Sequence, residues 1–169
     1  AGGPHYLRRL VRDPPPVPPS ELSAAISLSG PTGEANTLSL VPRGRVACLA
    51  DDDDAFAAQL RLIAMTRNIA IAARSAGRER IASQIGVRCE FVEDPLTAKP
   101  DVVLFAGSTE RARELRQRLA QQDGPIVPIV QVDAEHPGEP LRLLSERSLS
   151  INTTASGGNA SLLSLSEDA

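Results

Sequence analysis

The stretch GRVACLADDDDAFAAQLRLIAM, residues 44–65, decides the fold because it joins two different hydrophobic patterns. Val46–Ala50 is a short continuous apolar run, which is typical of a parallel strand buried on both faces. The acidic run Asp51–Asp54 follows, and either Asp53 or Asp54 is the expected N-cap of a helix. The apolar residues beyond it recur at helical spacing, namely Phe56, Leu60, Ile63 and Ala64. A buried strand followed directly by an amphipathic helix is the beginning of an α/β layer.

The sequence on the C-terminal side of this stretch continues the alternation of strands and helices. Further apolar runs predict four more strands, at residues 68–72, 88–92, 101–106 and 125–132. A weak helical pattern covers residues 74–84, and a clearer helix opens at Gly107 and Ser108 and ends at Gly124. Pro128 indicates that the last strand lies at a sheet edge or carries a bulge. This order predicts an α/β fold with a mainly parallel sheet and helices on both faces.

The segments that flank this region have a different composition. Residues 13–20, DPPPVPPS, contain five prolines and predict an extended spacer. Residues 21–43 predict irregular structure with a short strand at 37–41 and a structural turn. The turn residues are Gly30, Pro31, Thr32 and Gly33. After Ser148, Leu or Ile alternates with Ser around a Gly157-Gly158-Asn159 turn, which predicts a β-flap in the C-terminal tail.

Composition excludes several classes of protein. The chain has 169 residues, 41% apolar and 23% charged, as in a single globular domain with a core. Its net charge is −3 and its aromatic content is 2%, so we expect no nucleic-acid partner for this segment. No apolar run reaches transmembrane length, and no signal peptide is evident. Because Met65 is the only methionine and the chain opens at Ala1, we expect a processed or truncated product.

One alternative is a free-standing receiver-like or nucleotide-binding signalling module. The acidic run at 51–54 and the later strand at 101–106 resemble the pattern of response-regulator receiver domains. In that family the later strand ends in a phosphoacceptor aspartate, whereas here Ala106 stands at that place. Residues 126–132 also contain no lysine. Both differences argue against the signalling alternative.

Two other groups of residues could carry chemistry. Cys89 lies in a Gly-x-x-Cys string that resembles the nucleophile of aldehyde dehydrogenases, but Glu90 beside it disfavours a thiolate. Asp133, Glu135 and His136 could ligate a metal, but they lie in a loop without a second histidine nearby. Cys48 and Cys89 also lack metal-ligand spacing, so we expect two reduced thiols in a cytoplasmic protein. The residues therefore predict no catalytic, cofactor-binding or metal-binding side chain in this chain.

Several strings of the sequence resemble one enzyme family. AGGPHYL at 1–7 is similar to the end of L-glutamate γ-semialdehyde dehydrogenases, and GPTGE at 30–34 and PRGRV at 42–46 are similar to the linker and strand that follow. The most specific string is ERSLSINT at 146–153, which continues through GGNASL at 157–162. Together these strings resemble the C-terminal region of the long members of the proline utilisation A family.

The resemblance implies a division of the chain. Residues 1–12 would end an aldehyde dehydrogenase domain, and 13–43 would be a linker. Residues 44–145 would form a Rossmann-like domain of the aldehyde dehydrogenase superfamily without catalytic residues, and 146–169 a terminal motif. In the parent enzyme, FAD and NAD would serve the oxidation of proline to glutamate, and this segment would hold neither cofactor.

The resemblance also implies a role for the terminal motif. It would pack on the aldehyde dehydrogenase domain of the same chain or of a dimer mate and seal a substrate tunnel. The residues expected to do this are Ser150, Asn152, Thr153, Gly157, Gly158 and Asn159. A homo-oligomer, and a parent enzyme in the cytoplasm or peripheral at a membrane, are both compatible with this expectation.

Overall fold

The computed structural model describes residues 24–152. These residues contain eight strands: β1 (Ile26–Leu28), β2 (Glu34–Pro42), β3 (Arg45–Leu49), β4 (Ile69–Ala73), β5 (Cys89–Val92), β6 (Val102–Phe105), β7 (Ile129–Gln131) and β8 (Leu144–Asn152). Three α-helices lie among them: α1 (Asp53–Thr66), α2 (Ala76–Ile85) and α3 (Thr109–Ala120). A 3-10 helix covers Pro140–Leu143. The spacer predicted at 13–20 and the tail beyond Asn152 lie outside the described residues.

Five strands form a parallel sheet in the order β5-β4-β3-β6-β7. The first strand, β3, is central, and Val46 lies beside Ala70 on one side and Val102 on the other. This is the strand order of the first five strands of a Rossmann fold. The predicted α/β class and the parallel sheet are confirmed, and Pro128 does precede an edge strand, β7.

Both faces of the parallel sheet are covered. Alternate residues of each strand point to opposite faces, so Val46 and Cys48 pack with α1 and α2, through Phe56 and Leu60 among others. On the opposite face, Ala47 and its neighbours pack under α3 and the loop that contains Leu96. Each fully buried Leu or Phe contributes roughly 1.5–3 kcal/mol to folding. A core with few aromatic residues can therefore stabilise the fold, because aliphatic residues are buried on both faces of the sheet.

The helix ends differ in part from the predictions. The N-cap of α1 is Asp52 instead of Asp53 or Asp54, and its carboxylate accepts a hydrogen bond from Ala55 N at 2.7 Å. The helix predicted to open at Gly107 and Ser108 is α3, and Ser108 is its N-cap. The predicted end at Gly124 is wrong, because α3 stops at Ala120 and Gln121 is its C-cap. After Leu119 no apolar side chain of this segment faces the core, so burial no longer favours a continued helix.

The other three strands form an antiparallel sheet in the order β1-β2-β8. The short strand predicted at 37–41 is a nine-residue strand, Glu34–Pro42, paired along its whole length with β8. The turn between β1 and β2 contains Gly33, whose φ of 91° favours glycine, and Glu34 N donates to Pro31 O at 3.1 Å. Residues 21–43 are thus more regular than the sequence predicted, because their partner strand lies about a hundred residues away.

The side chain of Asn68 joins the two sheets. The chain passes from one sheet to the other after β2 and again before β8, and Asn68 bonds to both crossings. Its Oδ1 accepts from Gly44 N at 2.8 Å, and its Nδ2 donates to Leu143 O at 3.0 Å. Thr66 Oγ1 accepts from the same amide at 2.9 Å. Asn68 is 5% exposed, so these bonds are shielded from water.

We predict that Asn68→Ala destabilises the fold by about 2–4 kcal/mol, because buried partners of the lost amide would remain unsatisfied. The free energy of unfolding in urea measures this effect. Gln84→Ala removes an amide from the exposed face of α2 and should change stability by less than about 0.5 kcal/mol. Equal effects of the two substitutions would contradict the structural role of Asn68.

Candidate functional site

In open parallel sheets, ligands bind at the carboxyl edge where the strand order reverses. Here that place lies between β3 and β6, because the chain continues from β3 to one side and from β6 to the other. The loops that surround it are Ala50–Asp52 and Ala106–Ser108. We therefore take this carboxyl edge as the first candidate functional site.

Two arginines occupy the carboxyl edge. Arg78 of α2 donates to Ala50 O at 2.8 Å and to Ala73 O at 3.4 Å, and its guanidinium lies 5.3 Å from the centre of the Phe56 ring. Arg111 of α3 forms an ion pair with Asp51 across the place where the strand order reverses. These side chains hold the strand ends and helices together in the position that a nucleotide would take.

The charge of the edge is also unsuited to a dinucleotide. The helix N-terminus that would receive a pyrophosphate belongs to α1, and Asp52 already caps it. Asp53 and Asp54 lie in the first turn of α1, and all four residues of Asp51–Asp54 are exposed. The loop contains no glycine that would allow close approach of phosphate oxygens. The residues at this edge therefore do not fit NAD in the usual Rossmann geometry.

The N-terminus of α3 also carries a carboxylate. Hydrogen bonds from its own backbone N–H and from Ser108 lower the pKa of Glu110. A carboxylate that receives these donors leaves fewer of them for an anionic ligand.

The strand order bears directly on the receiver-like alternative. Receiver domains share the flavodoxin-like order, in which the third strand lies next to the first. Here the third strand of the parallel sheet, β5, is at the far edge beside β4. Ala106 lies buried just after β6. Residues 24–152 therefore have neither the sheet order nor the acceptor side chain of a receiver.

Hydrogen bonds within the loop hold Asp133, Glu135 and His136 together. Asp133 Oδ1 accepts from Glu135 N at 3.0 Å and from His136 N at 2.8 Å, and it lies 2.9 Å from His136 Nδ1. Partial burial acts to raise the pKa of Asp133, but the hydrogen bonds from Gln131 and His136 outweigh it and lower this pKa. Among residues 24–152, no group of three potential metal ligands is brought together.

The two cysteines lie in strands of the parallel sheet. Cys48 is fully buried in β3, and burial strongly raises its pKa. Cys89, at the beginning of β5, is partly exposed. Burial raises its pKa to about 11, with Arg78 opposing the rise and Glu90 adding to it. Thiols with such values are poor nucleophiles at neutral pH.

A cavity of about 630 Å³ lies between α1 and the loop that leads to the 3-10 helix. Its walls are mostly apolar and include Leu62 and Met65. The charged residues that line it, Asp54, Arg61 and Asp133, carry both signs. The cavity therefore does not specify one charge of ligand.

Two of the six residues expected to seal the tunnel lie within the described part of the chain. Ser150 and Asn152 are in β8, and Ser150 Oγ donates to Asn36 Oδ1 of β2 at 2.5 Å. Leu149 and Ile151 are 55% and 51% exposed on the opposite face of β8. Thr153, Gly157, Gly158 and Asn159 lie outside the described residues.

Sequence reasoning missed several side chains that shape these places. Arg78, Arg111 and Asn68 each act across 24 to 75 residues of sequence, and no local pattern distinguishes them from solvent-exposed polar residues. Leu149 and Ile151 were visible only as part of an alternating string. No helix within 24–152 has both the length and the apolar content that crossing a bilayer requires.

Comparison with known proteins places the chain among much longer ones. No protein-family model matches it. It is 39% identical over 146 residues to the bifunctional protein PutA of Salmonella typhimurium and 40% identical over 153 residues to that of Escherichia coli, with 82% of this chain covered in each case. The PutA of Rhizobium meliloti is 31% identical over an alignment that covers 98% of the chain. The chain spans only 11% to 17% of the length of these relatives.

Solved structures agree with the sequence matches. A crystal structure of a variant of Bradyrhizobium japonicum proline utilization A matches with a TM-score of 0.53 and 29% identity, covering 66% of this chain and 14% of that one. An NAD-dependent benzaldehyde dehydrogenase from Corynebacterium glutamicum, at 18% identity, a TM-score of 0.50 and coverage of 66% and 28%, shares the fold. With 31–40% identity to its PutA relatives and the same fold, the chain belongs to the proline utilisation A family and matches one segment of those longer proteins.

Proposed function

We propose that this chain is a non-catalytic C-terminal domain of a bifunctional enzyme that oxidises proline to glutamate. In the parent, FAD would serve proline oxidation, and NAD would serve oxidation of the semialdehyde intermediate. Residues 1–12 would end the aldehyde dehydrogenase domain and 13–43 would link it to this domain at 44–145. The terminal motif at 146–169 would support the aldehyde dehydrogenase part and help to seal the tunnel between the two active sites.

The observation that carries this proposal is the exposed face of β8. Within the described residues β8 pairs only with β2, so among residues 24–152 no strand lies along its other edge. Leu149 and Ile151 add two apolar side chains that are more than half exposed on a single face. A free strand edge with exposed apolar side chains is characteristic of a surface that another element covers.

The carboxyl edge supports a non-catalytic role. It presents carboxylates and internally paired arginines where a dehydrogenase would bind its dinucleotide. Cys89 has a pKa of about 11, which opposes its use as the nucleophile of an aldehyde dehydrogenase. Two free thiols, Cys48 and Cys89, also suit a reducing compartment such as the cytoplasm.

We predict that iodoacetamide alkylates Cys89 at pH 7.5 about 100-fold more slowly than a free thiol, because a pKa near 11 leaves little thiolate. The rate should rise with pH toward 11, and Cys48 should stay unlabelled in the folded chain. Peptide mass spectrometry distinguishes the two cysteines, and N-acetylcysteine supplies the reference rate. If Cys89 were alkylated as fast as N-acetylcysteine, it would again be a candidate nucleophile.

The same pKa shift predicts the pH dependence of stability. The raised pKa means that both thiols favour the neutral form more strongly in the folded chain than in the unfolded chain. The contribution of the thiols to the free energy of unfolding is therefore fully present below about pH 9 and declines as the pH rises toward 11. Urea unfolding at intervals over this range should show a decline that Cys89→Ser reduces.

We predict that Leu149→Asp combined with Ile151→Asp in the full-length parent enzyme opens the tunnel. The intermediate would then escape into water, and the lag before NADH appears from proline should lengthen several-fold. Turnover of externally supplied semialdehyde should change little. Gln84→Asp with Gln117→Asp adds the same charge on exposed helix faces and serves as the control. If both double variants show the unaltered lag, β8 does not seal the tunnel.

A further inference from the structure

The amino edge of the parallel sheet carries a row of cations. Because the five strands are parallel, their first residues all lie at one edge, opposite the candidate site. An exposed basic residue precedes four of these strands: Arg43 before β3, Arg67 before β4, Arg88 before β5 and Lys99 before β6. With adjacent strands about 4.8 Å apart, this row extends roughly 14 Å across the edge.

Two more residues extend the row. Arg142 is exposed in the 3-10 helix, next to Leu143, whose carbonyl accepts from Arg43 N at 3.1 Å. Ile126 precedes β7 and is 98% exposed, the most exposed large apolar side chain among the described residues. We call these six residues, Arg43, Arg67, Arg88, Lys99, Ile126 and Arg142, the basic edge.

The cations of the basic edge are weakly paired within the chain. Arg43, Arg67 and Lys99 make no ion pair with any residue in 24–152. Arg88 and Arg142 approach Glu90 and Glu139 only at 4.0 Å, with arginine side chains that are 76% and 69% exposed. Exposed pairs at this distance contribute little. The guanidinium and ammonium groups are therefore available to an external anion.

Backbone strain coincides with this charge. Only two non-glycine residues between positions 24 and 152 have positive φ, Arg67 at 55° and Lys99 at 52°, and both belong to the basic edge. A left-handed conformation disfavours an ordinary side chain, and glycine would adopt it readily. Arg67 follows the C-terminus of α1, where the helix dipole favours a cation. Lys99 follows no α-helix directly, so the dipole does not account for it.

We propose that the basic edge docks against an acidic surface of the remainder of the parent enzyme. The choice of this partner rests on the proposed function, in which the chain is one segment of that enzyme. The relatives are six to nine times longer than the part they share with this chain, so most of the protein is present to provide such a surface. An exposed apolar residue beside arginines is also a common composition for protein interfaces.

Carboxylates near the basic edge favour a protein partner over a lipid or nucleic-acid surface. Asp101, Asp123 and Glu139 are exposed near the same edge, and the whole chain has a net charge of −3. A uniformly anionic membrane or nucleic acid would repel these carboxylates. A protein surface can place a cation opposite each of them, and planar guanidinium groups suit bidentate pairing with carboxylates.

The test places a photo-reactive benzophenone side chain at position 126 of the full-length parent enzyme, with position 117 on the outer face of α3 as a control. We expect position 126 to cross-link to a peptide rich in Asp and Glu from outside this segment, and position 117 to give no such product. Arg43→Glu with Arg88→Glu and Lys99→Glu should lower the yield at position 126 about tenfold in 50 mM NaCl. Raising NaCl to 500 mM should lower the unmutated yield as well.

Matched variants separate charge from folding. Arg113→Glu with Arg116→Glu reverses exposed charges on α3 and should leave the yield unchanged. Arg67→Gly with Lys99→Gly should leave Tm unchanged or raise it by a few degrees, because strain is relieved, and should still lower the yield. A lower Tm with an unchanged cross-linking yield would show that Arg67 and Lys99 stabilise the fold and take no part in docking.

Three outcomes would overturn the docking surface: no cross-link at position 126, a yield insensitive to charge reversal and salt, or cross-linking to phosphatidylglycerol vesicles or a DNA duplex in preference to the enzyme. If the lag changes with Leu149→Asp and Ile151→Asp while position 126 gives no product, the proposed function stands and the basic edge is rejected. If position 126 reacts as expected but the lag is unaffected, docking stands and tunnel sealing is rejected.

Discussion

The carboxamide of Asn68 is the interaction on which the arrangement of the two sheets depends. Within residues 24–152 the chain passes between the antiparallel and the parallel sheet after β2 and before β8, and Asn68 bonds to both connections. Gly44 in the first connection has a φ of 126°, and a Cβ there would lie 2.5 Å from Asp101 Oδ2. The exposed face of β8 therefore has a defined position because a buried amide and a glycine hold its two connections to the core.

Much of the parallel layer could be predicted from local sequence. The strand and helix in residues 44–65 show their hydrophobic periods directly, and a buried parallel strand needs no information about its partner. The β2–β8 pairing could not be predicted. Neither strand has a clear alternation of apolar and polar residues, and the pairing places the apolar Leu40 opposite the charged Glu146. The predicted helix ends were wrong by one to four residues, at Asp52 and Gln121. Several neighbouring residues could act as caps there, and tertiary packing decided between them.

Only part of the candidate site could be predicted from the sequence. The run Asp51–Asp54 and Ala106 were visible in the sequence, and the structure places both at the carboxyl edge. The arginines that occupy this edge were not predictable, since Arg111 pairs with Asp51 across 60 residues and Arg78 reaches Ala50 across 28. Charge type can be read locally, whereas the pairing of charges requires the fold.

The carboxylates that make the N-terminus of α1 unsuited to a phosphate also stabilise the helix. A phosphate needs free N–H groups and positive potential at a helix N-terminus, whereas Asp52 uses those groups as a cap and Asp53 adds a favourable charge. A cap contributes about 1 kcal/mol and each first-turn carboxylate roughly 0.3–1 kcal/mol. Substitutions that remove ligand binding at this edge can therefore stabilise the scaffold. A Rossmann-like layer can therefore keep its fold without a ligand at this edge, because the cap and the first-turn carboxylates already stabilise the helix N-terminus.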